Sequence, residues 1–558
     1  MSEVLDLLDE FKTLQEARKP YETVWDDIDA NLLPNVMRLA ESSIPDKGAR
    51  RDEKINDGGP RYALSTFQAG FMGRLMSARF DWFSVQTPDE DLADDRDTRM
   101  WLSKLNQAIF MLINRSKFFP QTYSLFGVAG GLGTATMYHD YDDARQKVMF
   151  SLRNPWEMYL ADDENGDTDT ADRLTLMSYK NIARAFKDDT LDAEVIKMAE
   201  SPSDCHKEIK ILHVVKPNPD YDPRKRDIRA KRYASWYVDM EHENIIRRGG
   251  YSVMPYSTWA IDKEVGEAYG RGPGWRALSD IKGLYAVTKT TTVGAQYQVN
   301  PAADIPQERK GTEQLVPGGR NYYDDQGRDI KVIPKVIDLK AGLEIQQHKQ
   351  QIIERQFMVP FFTMMQQIGT QSRQKTAYEV QQIEREAAIL LGPYATGFQS
   401  QYMENIVECL VYYVIENKMV PPPPVQLMQS PNGSKLQTVY TGPLALAEKA
   451  FFNTEPYRRT LQDIQTIMST DPTGQSLPRQ IFDIPDWDRF FREMAQGNGL
   501  PEEGTLEVRK IDANRKARAK DMEQQKQLAA MEQMGKAMPG LNQPVQPGSA
   551  ADAMSKQG

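Results

Sequence analysis

The stretch YGRGPGWRALSDIKGLY, Tyr269 to Tyr285, sets Gly270, Gly272, Pro273 and Gly274 directly before an amphipathic helical pattern. It constrains the fold more than any other string, because it demands a sharp backbone turn and then a helix with Leu278, Ile281 and Leu284 on one face. A glycine-rich turn running into a helix N-terminus has two physical readings. One is a phosphate cradle, in which free backbone N–H groups meet an anion. The other is a structural hinge. A Walker-type loop closes on Gly-Lys-Ser/Thr, since the lysine and hydroxyl handle phosphate and Mg²⁺, and the chain contains no such string. The G-x-G-x-x-G spacing after a strand is missing as well, so the stretch reads as a hinge.

The remaining organisation follows from periodicity. The first hundred residues read as helix, with Leu5, Leu8, Phe11 and Leu14 at helical spacing and Ala69, Gly70 and Gly73 letting another helix approach, before an extended exit at Trp82 and Phe83. A helical region runs from Trp101 to Phe126. Between about 133 and 260 the pieces TATMYHDY, KVMFSLRN, IKILHVVKP and RYASWYVDM alternate as strands do, interrupted by one helix near Asn181 to Ala199. The quoted stretch opens a helix to about Gln298, and PAADIPQERKGTEQLVPGGRNYYDDQGRD after it is too polar and glycine-rich for core. A strand at IKVIP precedes two long helices, about Leu339 to Gln367 and Thr376 to Lys418. Thr376 and Glu379 have capping-box spacing, and Gly392–Pro393 predicts a kink or a break. PPPP at Pro421 to Pro424 is a stiff connector. A helical region at 442–494 and a polar helix at 505–538 lead into a tail of disordered composition. The fold class is mainly helical α+β.

Composition narrows function by exclusion. No run reaches the roughly 18 apolar residues of a membrane span, and the acidic, helical N-terminus is unlike a signal peptide, so neither export nor membrane insertion is expected. Cys205 and Cys409 are the only cysteines, which suggests no disulfide framework, no thiolate metal site and a reducing compartment. The net charge of −10 argues against a generic DNA coat while leaving room for local basic contacts. Charge is segregated: acids lie in PDEDLADDRD and DDENGDTD, bases in RKRDIRAKR (Arg224 to Arg232) and VRKIDANRKARAK.

The other motifs favour plain readings. GVAGGLGT, Gly127 to Thr134, leads into strand-like sequence and reads as a tight turn between helix and sheet. DDENGDTD, with Gly166 in the sixth position of a calcium loop, has Ala161 where the first ligand belongs. HENII has Ile246 where a zinc-protease helix needs its second histidine. No constellation makes a positive case for catalysis, a cofactor or a metal. The basic segment Arg224, Lys225, Arg226, Arg229, Lys231 and Arg232 is either a solvated loop or one that docks a partner.

Taken in order, several strings resemble those of the portal proteins, the head-to-tail connectors of short-tailed (podovirus-type) bacteriophages. LMSARFDWFSV resembles the family's early helix ending in Trp-Phe, here Trp82 and Phe83. NPWEMYLADDENGDTDTADR resembles its wing segment, MPYSTWAIDKEVGEAYGRGPGWRALSDIKGLY the start of its second stem helix, and TAYEVQQIEREAAILLGPYATGFQSQYMENIV its long wing and crown-side helix. Together they span roughly residues 15 to 520.

The resemblance implies a non-enzymatic, ring-forming subunit of a homododecamer with wing, stem, clip and crown regions. The implied boundaries are 1–180 for the N-terminal wing, 181–204 for a first stem helix, 205–258 for the clip, 259–298 for the second stem helix and 299–322 for a channel loop. A wing sheet and long helix take 323–400, the crown and helical barrel 401–538, and a tail 539–558. Tyr269, Gly270, Gly272, Pro273, Gly274 and Trp275 become the stem hinge, with Tyr269 and Trp275 anchoring the turn. Arg309, Lys310 and Arg320 become bases of the channel loop, and the Arg224 to Arg232 segment the clip's docking surface. Implied partners are double-stranded DNA without sequence specificity, the terminase large subunit, a tail adaptor, the major capsid and scaffolding proteins, and internal ejection proteins. The implied place is one capsid vertex of the virion, after assembly in the host cytoplasm. Read from the residues alone, a monomeric or dimeric helical adaptor binding nucleic acid through its basic C-terminal helix remains the alternative. A nucleotide-driven motor is disfavoured by the missing phosphate loop.

Overall fold

A computed structural model describes residues 2–33, 52–76, 81–299 except 94, 188, 190 and 226, the short strands 303–304 and 331–332, residues 339–363, 389–430 and 436–442, scattered positions between 445 and 491, and 508–537. The chain divides into two compact units, Met1–Glu448 and Lys449–Gly558. Its class is mainly helical α+β.

The first unit opens with α1 (Ser2–Asn31), then α2 (Gly59–Leu75), β1 (Phe83–Gln86), α3 (Glu90–Ala93), α4 (Arg96–Asn114) and α5 (Phe118–Leu132). Asp95 starts α4 by accepting from the Thr98 amide at 3.0 Å, an N-cap that satisfies an otherwise orphaned donor. Trp101, Leu105, Ala108, Ile109 and Leu112 then share its buried face. The continuous helix expected from Trp101 to Phe126 is interrupted: the Ser116 hydroxyl accepts from the Phe118 amide at 3.1 Å and offers the backbone a turn instead.

β2 (Thr134–Asp142) and β3 (Lys147–Leu152) follow α5. With β9 (Tyr256–Ala260) they make an antiparallel three-stranded sheet in the order β3-β2-β9. Between them lies an antiparallel five-stranded sheet of β4 (Met158–Asp162), β5 (Thr168–Ser178), β6 (Glu208–Pro217), β7 (Tyr233–Asp239) and β8 (Asn244–Tyr251) in sequential order. Alternation along β6 sends Leu212 and Val214 to the face covered by α1, where Val4, Leu7 and Phe11 pack on them. Ile209 and Ile211 point to the opposite face. That face is covered by α6 (Tyr179–Ala185) and α7 (Ala193–Glu200), two short helices where the sequence suggested one. The break has a local cause, since Asp192 caps α7 by accepting from the Glu194 amide at 2.8 Å.

The largest core lies where α1, α2, α5, the three-stranded sheet and the later helices meet, around Trp25, Phe67, Phe71, Phe126 and Trp259. α8 (Pro273–Val299) leaves this core and packs along α9 (Leu339–Gln356). Between them β10 (Ala303–Asp304) pairs antiparallel with β11 (Lys331–Val332). The later helical backbone runs through Gly392 and Pro393 without the expected break. The irregularity comes just after, as a π-helical turn at Phe398–Met403 that buries Phe398, Tyr402 and Met403, before α10 (Glu404–Glu416). α11 (Val425–Gln429) and β12 (Gln437–Tyr440) complete the unit, β12 pairing antiparallel with β1. The capping-box pair Thr376 and Glu379 lies outside the described residues.

In the second unit the main described element is α12 (Val508–Ala537), with residues 513–527 exposed throughout and the bases Arg515, Lys516, Arg518 and Lys520 among them.

Candidate functional site

The turn into α8 is built by two glycine-rich strings meeting backbone to backbone. The glycines of GVAGGLGT do not form the expected turn: Gly127, Gly130 and Gly131 lie inside the last turns of α5, and Gly133 alone ends the helix. Gly133 sits at φ 98°, and its amide donates to the Ala129 carbonyl at 2.8 Å, a left-handed C-cap that glycine adopts at no steric cost. The second string packs closely against the carbonyls of this buried helix end. A Cβ on Gly272 would stand 2.4 Å from the Ala129 oxygen, closer than any side chain tolerates. Gly270 and Gly274 flank that contact; the Gly270 amide donates to Thr134 Oγ1 at 2.8 Å, and Gly274 lies against Gly131.

Pro273 is the first residue of α8, where its missing N–H costs nothing. Tyr269 is buried between Tyr21 and Trp25, its ring 5.2 Å and 5.5 Å from theirs. Its hydroxyl accepts from the Leu160 amide at 3.0 Å. Trp275 packs on Tyr21 at 5.9 Å. The Trp275 amide donates to the Gly272 carbonyl at 3.0 Å, so one of the donors an anion would need is already engaged. The start of α8 is seated on protein backbone, which leaves no cradle for a phosphate.

Beyond this junction α8 is held by Tyr285, whose hydroxyl donates to the Asn31 carbonyl at 2.8 Å, and by the ion pairs Lys282–Asp27 and Lys349–Asp280, both at 2.6 Å. After Tyr285 its surface is mostly exposed. The β10–β11 ladder closes the base of the segment 305–330. Arg309, Lys310 and Arg320 lie in that segment, outside the described residues.

The basic segment between β6 and β7 divides into two chemically different parts. Arg224, Lys225 and Arg229 are exposed beside Tyr221 and Ile228, two large apolar side chains that are 50% and 54% exposed. Asn218 pins the loop by donating to the carbonyls of Arg229 and Lys231 at 2.8 Å and 2.7 Å. Lys231 and Arg232 turn back instead: Lys231 Nζ meets the Tyr412 hydroxyl at 3.5 Å, and Arg232 meets Glu408 at 3.4 Å, both on α10. Arg226 lies outside the described residues.

The acidic loop between β4 and β5 has a cation of its own. Lys263 pairs with Asp162 and donates to the Gly166 carbonyl at 2.6 Å. Asp163 accepts from the amides of Asn165 and Asp167 at 2.8 Å and 2.9 Å, bonds that hold its carboxyl below the usual carboxylate range. Asp167 is pushed upward, first by burial and then by Asp163. The loop borders a polar cavity of about 210 Å³ that reaches Gln401, Glu404 and Asn405. Among the described residues no group of three or more His, Cys, Asp or Glu is placed to hold a metal ion.

Comparison with known proteins supplies the family. The profile of a family described as bacteriophage head to tail connecting protein matches residues 5–506. The chain belongs to that family. It is similar, at 25% identity over 95% of its length and 93% of the relative's, to the probable portal protein of Bordetella phage BPP-1. A second relative, the portal protein of Salmonella phage epsilon15, is 26% identical over 80% of each chain. No described helix of this head-to-tail connecting chain is long and apolar enough to cross a membrane.

Several residues that shape the connector's framework carry no sequence signal. Arg18 is buried and donates to the carbonyls of Trp156 and Met158 at 3.0 Å and 2.8 Å, sealing the backbone next to and within edge strand β4. Asn106 both donates to and accepts from Val85, as a neighbouring strand would, on β1. On β9, Gln401 accepts from the Ala260 amide, and Asn405 donates to the Tyr256 carbonyl and, just before the strand, to that of Met254. Their partners are 21 to 151 residues away, beyond any periodicity.

Proposed function

We propose that this connector chain is a portal protein: a subunit of a closed ring at one capsid vertex that gives double-stranded DNA a channel and serves as platform for packaging motor and tail. The observation that carries the reading is the family match across residues 5–506. The ring closes through a heterologous contact repeated around one axis, in about twelve copies. The glycine-seated turn at Tyr269 to Trp275 is its stem hinge, fixing the direction in which α8 leaves the core. The exposed bases Arg224, Lys225 and Arg229, with Tyr221 and Ile228, form the docking surface for the terminase large subunit and then the tail adaptor. Capsid, scaffolding and internal ejection proteins are its further neighbours. ATP hydrolysis belongs to the motor, and this chain carries no catalytic role.

DNA contact in this reading is weak and without sequence specificity, made by Arg309, Lys310 and Arg320. A channel dense in lysine would hold the duplex by counterion release instead of letting it slide, and a subunit charge of −10 avoids that. The exposed bases of α12 favour a second reading, an adaptor that binds nucleic acid as a monomer or dimer. Native mass and negative-stain imaging of the purified chain separate the two. Rings of about twelve subunits with a central pore are the expected result. A monodisperse monomer or dimer at high concentration would overturn the portal reading in favour of the adaptor.

A further inference from the structure

α1 is one helix with two different attachments. Tyr21, Trp25, Ile28 and Leu32 belong to the main core. Val4, Leu7 and Phe11 belong to a separate, small cluster with Tyr159, Leu212, Val214 and Val238 on one face of the five-stranded sheet. Between the two lies Pro20, which removes the hydrogen bond to the Glu16 carbonyl and weakens the helix there. Arg18, clamped on the carbonyls next to and within β4, holds the chain at that point. The outer latches of the first half are Glu3 to Arg248, Glu3 to the Trp236 indole and Glu10 to Lys216. All lie at partly exposed positions, where ion pairs hold weakly.

Beneath this half-helix is a carboxyl group in an unfavourable place. Asp172 is 2% exposed and its Oδ1 has no hydrogen-bond partner. It stands opposite Val214 on β6 and Tyr159 on β4. Lys216 is two residues beyond Val214 and so on the same face, but its ammonium is engaged by Glu10 from above. We propose that residues 2–16 form a detachable strap, hinged at Pro20, and that Lys216 passes from Glu10 when the strap is docked to Asp172 when it is released. Docking buries Leu7 and Phe11 at the expense of an unpartnered carboxyl. Release exposes them but gives Asp172 both water and a counter-ion. The two states are balanced against each other by one shared ammonium, and the device does not depend on the ring reading.

Charge linkage gives the device a direction. Among the described residues, the charged and titratable groups around Asp172 are Lys216 on β6, Glu10 and Arg18 on α1, Arg18 lying over the Tyr159 ring, and Tyr256 on β9. Burial pushes Asp172 up to about 8, with Glu10 adding to the rise and Lys216 opposing it. The docked strap therefore keeps the proton to about that pH, while the released one sheds it near the ordinary carboxylate value. Release becomes easier as pH rises from about 4 to about 8, by at most about tenfold per unit, and then levels off.

Amide hydrogen exchange on the full chain, corrected for intrinsic rates, tests this. Opening of residues 2–14 is expected to increase about tenfold or more between pH 6 and pH 8, while residues 21–31 stay protected. Asp172→Asn should remove that response and raise protection at pH 8. Pro20→Ala should make the two halves open together. A wild-type response retained in Asp172→Asn, or both halves of α1 opening together in the wild type, would overturn the proposal. If Asp172→Asn does not fold, Glu10→Gln serves instead: it frees Lys216 for Asp172 in the docked state, so the pH response should shrink, and an unchanged response counts against the strap.

Discussion

The backbone of Gly272 lies so close to Ala129 that a Cβ there would stand 2.4 Å from the Ala129 carbonyl oxygen. The obstacle is backbone at the end of a helix, which cannot swing away as a side chain would. Gly272→Ala should therefore cost about 1–3 kcal/mol, the range of a forced overpacking or strained backbone. Gly73 is the control, because it sits in α2 with nothing within 4 Å of its would-be Cβ. Gly73→Ala should gain about 0.5–1 kcal/mol from helix propensity. Urea midpoints of the two variants check both signs, and a neutral Gly272→Ala would remove the physical basis for the hinge.

Arg18 should be among the costliest single charges to delete. Its guanidinium is 3% exposed, pairs with Glu22 at 2.6 Å and satisfies the carbonyls of Trp156 and Met158. Arg18→Met leaves those acceptors and the carboxylate without their donor, an expected loss of about 3–5 kcal/mol. Lysine cannot reproduce a planar fork spread over several acceptors, so Arg18→Lys should recover less than half of it. Chemical denaturation of the two variants side by side decides whether geometry or charge matters here.

What could be read in the sequence and what could not divide along a physical line. Alternation marked β2 and β3 of the three-stranded sheet and β6 and β7 of the five-stranded one, because period two is imposed by burial on each strand separately, but it did not mark β4, β5, β8 or β9. The glycines at 270, 272 and 274 announced a turn, but the partner string at Gly127 to Gly133 was read as a turn too. Gly127, Gly130 and Gly131 are helical and make room for the side chains of Gln68, Phe67 and Leu33, while Gly133, which ends the helix, makes room for the backbone of Gly270 and Gly272, more than a hundred residues away. The basic segment looked uniform, whereas the fold turns Lys231 and Arg232 onto α10 and leaves Arg224, Lys225 and Arg229 outward. Which charge faces α10 depends on where the chain re-enters β7, a tertiary fact that composition does not carry.

That division yields a functional test of the loop. Arg224→Ala, Lys225→Ala and Arg229→Ala together should leave the urea midpoint within about 0.5 kcal/mol of wild type, as for most exposed positions. The same triple variant should lose binding to the packaging motor, most strongly at low salt. Arg232→Ala, by contrast, should affect neither beyond a surface ion pair's worth, under about 1 kcal/mol. Equal motor binding by the triple variant and wild type would show that the loop is merely solvated.

Lys263 makes a comparable prediction for the acidic loop. Its ammonium already serves Asp162 and Gly166, so calcium should leave the melting temperature of the wild-type chain unchanged. Lys263→Ala removes the internal cation, leaves Asp167 without the charge that eases its ionisation, and should lower stability by about 1–3 kcal/mol. Millimolar calcium should then restore part of the loss in the variant. Calcium stabilising the wild type as strongly as the variant would mean that the lysine is not what fills the loop.

Two buried histidines make the fold sensitive to acid. His139 bonds Ser257 at 2.8 Å within the three-stranded sheet, and His213 bonds Ser235 at 3.0 Å within the five-stranded sheet and Tyr256 at 2.8 Å across to the other. Burial lowers both to about 3, and the cations Arg173 and Arg153 add to the fall at His213. An unfolded histidine binds its proton near 6.5, so between 6.5 and 3 the unfolded chain takes up protons that the folded one refuses. The histidines' contribution is then complete above about 6.5 and is lost on acidification, by about 1.4 kcal/mol per pH unit for each histidine. Asp172 acts with the opposite sign, since its raised value favours the fold as pH falls, which makes Asp172→Asn the right background for the measurement. In that background His213→Gln should be less stable at pH 8, where its hydrogen bonds are lost. Its urea midpoint should nonetheless fall more gently between pH 6 and pH 4, by roughly one histidine's slope. Parallel curves for the two proteins would mean that His213 takes up a proton while folded, and that the polar seam between the sheets is open to water.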